Sequence, residues 1–436
     1  MGKLNRLLGI FLITGVIILS LIAMVNFFWP KRINECCPLN WDIGYSIVQT
    51  SDGGYLIAGM KSSRYPWIIK INKVGGVEWS KTFFITVPGS SFQKIVRADA
   101  DSYVAVGSVY SDTWDIACIK VNENGDIEWN KTYSDDEISD AFSITQTRDG
   151  GYLIVGRIKS SSPEDYDLLL VKIDGDGNME WKKTYGGEGS DIGLDIIPAV
   201  DEGYIIVGET NSYGPRCTWL IKVDERGEVE WNKTYGYGIA HSIIQSYDEV
   251  SYIIVGWTKQ PESEEKERLW VLKINRNGEV EWNKTYNYAI GYSITQTYDG
   301  GYIVLGATSF NETSTDVLLI KIDDHGNLVW NRTYGGRGDD RGFSIIQSSD
   351  GGYVIVGESS SFGADGFDVL LMKIDEDGGL EWIKTYSGSR YDVSCAAYLC
   401  NCFRFMNVVK RVFNAYVSIV NTIEPNFKAI QCIYSR

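Results

Sequence analysis

Between residues 44 and 386 one order of apolar and polar positions returns seven times. In the third return, Phe142-Ser143-Ile144-Thr145-Gln146-Thr147 has the pattern of a short strand, and Asp149-Gly150-Gly151 interrupts it. Tyr152-Leu153-Ile154-Val155-Gly156 is apolar almost throughout, as a strand covered on both faces should be. A polar stretch, 160–165, leads to Leu168-Leu169-Leu170-Val171-Lys172-Ile173. Asp174-Gly175-Asp176-Gly177 then turns the chain into Met179-Glu180-Trp181-Lys182-Lys183-Thr184-Tyr185. The pattern predicts four strands per copy, A to D, with no helical period. Asp-Gly-Gly and Asp-x-x-Gly supply the positive φ that tight hairpins require.

The copies are marked by a Tyr followed four residues later by Gly, at 55/59, 103/107, 152/156, 204/208, 252/256, 302/306 and 353/357. Each also carries a Trp: Trp79, Trp129, Trp181, Trp231, Trp282, Trp330 and Trp382, spaced by 48 to 52 residues. One supersecondary unit repeated at this period, with four antiparallel strands each, is the blade of a propeller. A linear β-solenoid is the competing reading, but its coils are much shorter. The expected fold is all-β: a seven-bladed β-propeller of four-stranded antiparallel blades, preceded by one N-terminal transmembrane helix. The tryptophans are expected to wedge between neighbouring blades, with Tyr and Gly managing the second strand. The Lys before each Asp/Asn turn and the Glu before most tryptophans are expected to pair across the C–D hairpin.

On these residues a resemblance stands out. Ser-Asp-Gly-Gly-Tyr-x-Ile-x-Gly followed by Gly-x-x-x-Trp-x-Lys-Thr-Tyr-Gly-Gly resembles repeats of secreted or surface propeller proteins of archaea and bacteria. Gly after strand B and Trp near strand D are kelch-like. Asp174 to Trp181 is similar to the tryptophan motif of quinoprotein propellers, without its Thr and one residue shorter. The resemblance implies the propeller over 44–386 and says little about activity, because propellers host many functions.

Outside the repeats, residues 7–29 form an apolar run of 23 residues in which Asn26 alone is clearly polar. As a helix it would reach about 34 Å, enough to cross a hydrocarbon core of about 30 Å. A cleaved signal peptide has a shorter apolar region and a small-residue cleavage site, so an uncleaved signal anchor is the favoured reading. The division expected is 1–6 cytoplasmic, 7–29 membrane span, 30–40 linker, 41–395 propeller and 396–436 a divergent basic tail. Met406, Val409, Phe413, Tyr416 and Val420 give that tail an amphipathic helical pattern. A membrane-surface helix, a cap on the propeller and a non-native tail all remain open. Asn-x-Thr acceptors at Asn130, Asn232, Asn283, Asn311 and Asn331 and eight cysteines suit an extracytoplasmic compartment. Cys36 or Cys37 is placed to pair with Cys395, Cys400 or Cys402 across the closure of the ring.

Charge narrows the partners. Residues 1–40 carry +3 and 396–436 carry +4, which leaves −23 on 41–395. Such a surface repels a phosphate backbone, so no nucleic-acid partner is expected. Two histidines, His241 and His325, are too few for a His-rich metal site, and no nucleophile elbow, Walker loop or Cys-x-x-Cys pair is present. Asp174-Gly-Asp176-Gly-Asn178 has the look of a calcium loop but sits where the hairpin turn belongs. Arg337-Gly338-Asp339 is an adhesion-type tripeptide that a Gly/Asp-rich loop also produces by composition.

Length variation is confined to the segments holding the B–C and D–A loops, which share one face, where a rigid scaffold usually binds. Ligand-face candidates there are Asp135, Asp136, Asp140, Asp191, Asp339, Asp340 and His241. The expected function is a membrane-anchored extracytoplasmic propeller for binding, adhesion or envelope scaffolding, with a glycan, envelope protein or cation as partner. The alternative is a carbohydrate-active hydrolase or lyase using loop carboxylates. No cofactor is expected, with calcium the one ion the acidic loops invite. After fractionation, the protein should stay with membranes, and external protease on intact cells should remove the propeller. Release into the soluble fraction would instead mean a cleaved signal.

Overall fold

The structure is a computed structural model that describes residues 41–83, 89–110, 113–134, 137–160, 165–259, 267–286, 289–311, 314–363 and 366–387. The span 7–29, the linker, the tail, Asp135, Asp136, Cys36, Cys37, Cys395, Cys400 and Cys402 lie outside the described residues. Residues 39–388 form one compact unit. Among the described residues no helix is long and apolar enough to cross a membrane.

Every repeat folds into a four-stranded antiparallel blade in the order A-B-C-D. In blade 3 the strands are Ser139–Gln146, Tyr152–Lys159, Tyr166–Ile173 and Met179–Tyr185. Strand D begins and ends where the sequence pattern places it, while A starts earlier and B runs on past Gly156. Seven blades are built from 27 strands, because Val229–Gln245 serves as strand D of blade 4 and strand A of blade 5. Gly236 (φ 51°) and Gly238 (φ 156°) bend the chain between the two sheets. A Cβ on Gly238 would lie 2.0 Å from the Trp257 carbonyl oxygen.

Strands A touch their counterparts in both adjacent blades and strands D pair only with C, so A lines the axis and D forms the rim. Strand B is buried along nearly its whole length, whereas strand D alternates Glu and Lys with Trp and Thr at an exposed edge. Charged side chains on such an edge discourage pairing with another chain. Asn130, Asn232, Asn283 and Asn331 are exposed on these outer strands, and Asn283 Oδ1 accepts from Trp270 Nε1 at 2.7 Å.

The apolar core is divided into seven clusters, and each spans two neighbouring blades. An open row of seven blades would have six such joints; the seventh, uniting blades 7 and 1, closes the ring. Every repeated tryptophan packs half-buried against one of these clusters. The tryptophan rests on the C–D turn of the following blade. Trp129 Nε1 donates to Gly175 O at 3.0 Å, and a Cβ on Gly177 would come within 2.9 Å of the Trp129 ring. Two residues further along, the Lys or Arg of Trp-x-Lys/Arg lies over the indole, 5.5 to 5.7 Å from its centre in five blades.

The closing Tyr of the motif locks the same joint. Tyr133, Tyr185, Tyr235, Tyr286, Tyr334 and Tyr386 each donate a hydroxyl to the turn-glycine carbonyl of the next blade, at 2.6 to 2.8 Å. Tyr386 reaches Gly75 and so closes the ring. Blade 1 has Phe83 in this place, buried and without a hydroxyl; there Lys81 Nζ donates to Asn124 O and Gly125 O.

The anticipated Lys–Glu pairs are present in five blades, as in Lys172–Glu180 at 3.1 Å and Lys222–Glu230 at 2.8 Å. A third member was not anticipated: an Asp of the A–B turn, such as Asp149 or Asp201, joins the lysine in all seven. The Thr147 hydroxyl, working with Lys172 and against burial, holds Asp149 down to about 2. Because the acids are largely open to water, each bridge contributes on the surface scale of about 0–1 kcal/mol. Its main effect is to let a lysine stem pack under the turns.

Tyr235→Phe should lower stability by about 1 kcal/mol, the net worth of one hydrogen bond. Phe83→Tyr should not lower it if the hydroxyl finds Gly125 O. Chemical denaturation of both variants against the parent checks the pair.

Candidate functional site at the axial mouth

The glycine four residues after each Tyr has a cause on strand A. Opposite it, every strand A carries a β-bulge, with register slipping between Gly44 and Ser46 in blade 1 and at the same place in the other six. The bulge pushes a strand A carbonyl toward strand B. A Cβ on Gly59 would lie 1.9 Å from Ile43 O, and one on Gly357 1.8 Å from Arg341 O. Glycine alone fits there.

A bulge re-aims one side chain, and these seven are Tyr45, Gln93, Phe142, Leu194, His241, Tyr292 and Phe343. Four of them form a continuous arc around the axis. His241 meets Tyr292 at 5.5 Å between ring centres, Tyr292 meets Phe343 at 5.7 Å, and Phe343 meets Tyr45 at 5.6 Å. The next residue along each strand makes a polar layer: Ser46, Lys94, Ser143, Asp195, Ser242, Ser293 and Ser344. Asp195 accepts from Ser143 Oγ at 2.7 Å and Ser242 Oγ at 3.1 Å. Lys94 Nζ of blade 2 stands 3.6 Å from Asp195 of blade 4, reaching past the blade between them.

Toward the B–C and D–A loops the aromatic arc is rimmed by ion pairs. Arg157 holds Asp140 at 2.7 Å, Arg216 grips Glu209 through two nitrogens at 2.6 and 2.8 Å, and Arg341 holds Glu358 at 2.7 Å and Asp339 at 3.4 Å. Arg157 also lies over the rings of Phe142 and Tyr166, at 5.7 and 4.2 Å. Burial raises the Glu358 carboxyl even against Arg341. Burial, with the charge of Glu358 adding to it, pushes Tyr45 up to about 12. His241 keeps some surface toward the axis but is hemmed in by the strands, and burial, reinforced by Arg216, pushes it down to about 4. Its imidazole is therefore neutral at neutral pH.

The candidate residues fall into two groups. Asp140, Asp339 and His241 belong to the axial mouth. Asp191 and Asp340 are fully buried beneath the loops, where Asp191 Oδ2 accepts from Gly187 N at 3.0 Å and Ser212 Oγ at 2.6 Å. Of the bulge residues sequence reading singled out His241 alone, and it did not single out the arginines that pair with the rim acids. The invariant spacing of Tyr and Gly was their signal, since a mid-strand glycine marks a bulge or a close backbone approach.

On the opposite face, a groove of about 450 Å³ between blades 5 and 6 is lined by Tyr247, Asp248, Lys273, Asp299 and Lys321. Its charges are matched within the blades, Lys273 with Asp248 and Lys321 with Asp299. Asp323, Asp324 and His325 converge beside it on an open turn. In the Asp174 turn, Asp174 Oδ1 accepts the backbone N–H groups of Asp176 and Asn178, so this carboxylate caps the hairpin. Cys118 is fully buried in its strand.

No family model and no curated protein matches the sequence. Among solved structures, the periplasmic gluconolactonase PpgL of Pseudomonas aeruginosa is similar over 80% of this chain and 95% of that one, with TM-score 0.51 and 12% identity. Sqt1 from Chaetomium thermophilum matches over 80% and 88%, with TM-score 0.47 and 10% identity. At 12% identity the likeness to the gluconolactonase speaks for the fold alone, and the fold it supports is the seven-bladed β-propeller.

His241 provides a pH readout of the mouth. With its folded pKa below the unfolded value of 6.5, its contribution to stability is full above 6.5 and is lost as pH falls toward 4. Replacing it by Gln, which blade 2 carries at the same position, should flatten that part of the profile. Melting curves of both proteins across this range, taken as a difference, check it.

Proposed function

We propose that this propeller is carried outside the cytoplasm on the 7–29 span and binds envelope glycans through its axial mouth. The observation that carries this reading is the aromatic arc of Tyr45, Tyr292 and Phe343 beneath a rim of arginine–carboxylate pairs. A pyranose ring has apolar C–H faces that pack on aromatic rings and an equator of hydroxyls that planar bidentate groups recognise. The rim groups are preorganised by their own pairing, which limits the ordering cost of binding. The B–C and D–A loops that surround this mouth are the segments free to vary in length around a fixed ring, as a binding face requires. Asp140, Asp339 and His241 belong to this mouth in the proposal.

Binding is favoured over catalysis because Asp140, Glu209, Asp339 and Glu358 are each engaged by an arginine. One observation favours the carbohydrate-active hydrolase or lyase: burial raises Glu358, as a general acid requires. The fold shared with a gluconolactonase does not decide between them, since propellers carry unrelated activities.

Calorimetry with polysaccharide fragments from the host envelope should give binding that Tyr292→Ala weakens at least tenfold while the far-ultraviolet spectrum stays unchanged. Substitution at Tyr247, on the opposite face, should leave binding intact. New reducing ends in the same mixtures, abolished by Glu358→Gln, would establish the hydrolase instead. Equal binding by the parent and Tyr292→Ala would remove the axial mouth from consideration.

A further inference from the structure

Two joints of the ring hold a pair of aspartates that nothing in the described residues neutralises. Where blade 3 meets blade 4, Asp167 near the start of strand C faces Asp191 at the start of the next strand A. Where blade 6 meets blade 7, Asp316 faces Asp340 in the same way. The loops between them share their wording: Gly186-Gly187-Glu188-Gly189-Ser190-Asp191 and Gly335-Gly336-Arg337-Gly338-Asp339-Asp340.

The geometry repeats as well. A Cβ on Gly186 would sit 2.5 Å from Asp167 Oδ1 and 2.6 Å from Asp191 Oδ2. One on Gly335 would sit 2.0 Å from Asp316 Oδ1 and 3.1 Å from Asp340 Oδ2. Each first glycine is thus packed directly against two carboxylates, which converge to within about 5 Å of each other. Asp191 is fully buried; its Oδ2, the oxygen beside Gly186, is held by Gly187 N and Ser212 Oγ, while its Oδ1 has no hydrogen-bond partner. In the other copy Asp340 is fully buried and satisfied by Ser359, Ser361 and Gly336, while Asp316 Oδ1, packed against Gly335 beside Asp340, is buried without a partner.

Buried polar atoms are normally satisfied, and none of these four carboxylates has a Lys or Arg within ion-pair distance among the described residues. Burial and the neighbouring carboxylate raise both Asp167 and Asp316. The joint of blades 7 and 1 is the internal comparison. It also carries two acids, Asp368 and Asp42, but both are engaged, Asp42 Oδ1 accepting from Ser62 N at 2.5 Å.

We propose that the Asp167–Asp191 and Asp316–Asp340 pairs each bind one calcium ion, fastening a D–A loop to the blade before it. Two anionic oxygen donors this close together suit a hard cation of flexible coordination, with water and backbone oxygen completing its six to eight ligands. Magnesium, which demands a tighter octahedron and gives up water reluctantly, should bind more weakly.

The test uses the detergent-purified full chain, stripped with EDTA and titrated with calcium chloride by calorimetry at pH 7. Two ions per chain are expected, together with a rise in melting temperature. Asp167→Asn and Asp316→Asn should each reduce the stoichiometry to one, the double variant should bind none, and Asp115→Asn at the equivalent place in blade 2 should still bind two. Circular dichroism of each variant reports whether the fold is kept. If a variant does not fold, terbium luminescence on the parent, displaced by two equivalents of calcium, reads the same sites. No uptake at millimolar calcium overturns the proposal. So does uptake that survives the double variant, or a parent protein that is stabilised on acidification from pH 7 to 5 and indifferent to calcium, the behaviour of a carboxylate pair sharing a proton.

Discussion

The ring depends on one joint used seven times: an indole, usually with a phenol hydroxyl beside it, seated on the C–D turn of the next blade. The glycine of that turn must have positive φ, as Gly177 (79°) and Gly227 (76°) do, and must also lack a Cβ, because the tryptophan occupies that space. Backbone conformation and packing thus ask for the same residue. The joint also explains why a four-stranded blade, marginal alone, is stable in the ring. A fully buried aromatic such as Tyr152 removes about 200 Å² from water, roughly 5 kcal/mol as an upper bound, and the neighbouring blade is needed to complete that burial.

The same economy of backbone operates at the axis. A bulge in strand A forces glycine onto strand B and turns one residue per blade toward the centre. The ring can therefore vary its axial residues without touching its joints. Tyr, Phe, His, Gln and Leu occupy equivalent bulges with the same register around them. The next layer is less free. Lys94 and Asp195 cross the axis, and the serines beside them satisfy the carboxylate. Beside the aromatic arc the polar layer thus satisfies its own charges.

Most of the fold was legible because the joint residues recur, the tryptophan and turn glycine in every copy and the tyrosine in six of the seven. Trp181, Tyr185 and Gly227 announce themselves by repetition, and strand D of blade 3 was bounded correctly from its wording. What repetition cannot reveal is a difference between copies. Tyr292 and Arg341 look like ordinary strand residues until the bulge is placed, and Arg341 then proves to face Glu358 across the strand pair. The continuous strand Val229–Gln245 was missed for a related reason: Gly236 and Gly238 read as a loop, and the geometry of the adjoining sheets makes them a bend. Asp191 and Asp340 show what membership of a variable loop does not reveal: the short glycine-rich segments fold over them and bury them.

Charge is distributed by face. On the turn side every blade sets a lysine between an Asp and, in most, a Glu, so the acids there are matched locally and the excess is spread evenly around the ring. On the loop side the compensation is uneven. Arginines serve blades 3, 4 and 7, while the pairs at 167/191 and 316/340 have none. A chain of net charge −16 pays in self-repulsion for any unmatched acid. Concentrating the unmatched ones in two pairs, each with one fully buried member, is costly, whereas leaving them on open turns would cost little. The uneven face therefore carries the ring's unmatched charge, and the even face is where the ring maintains itself.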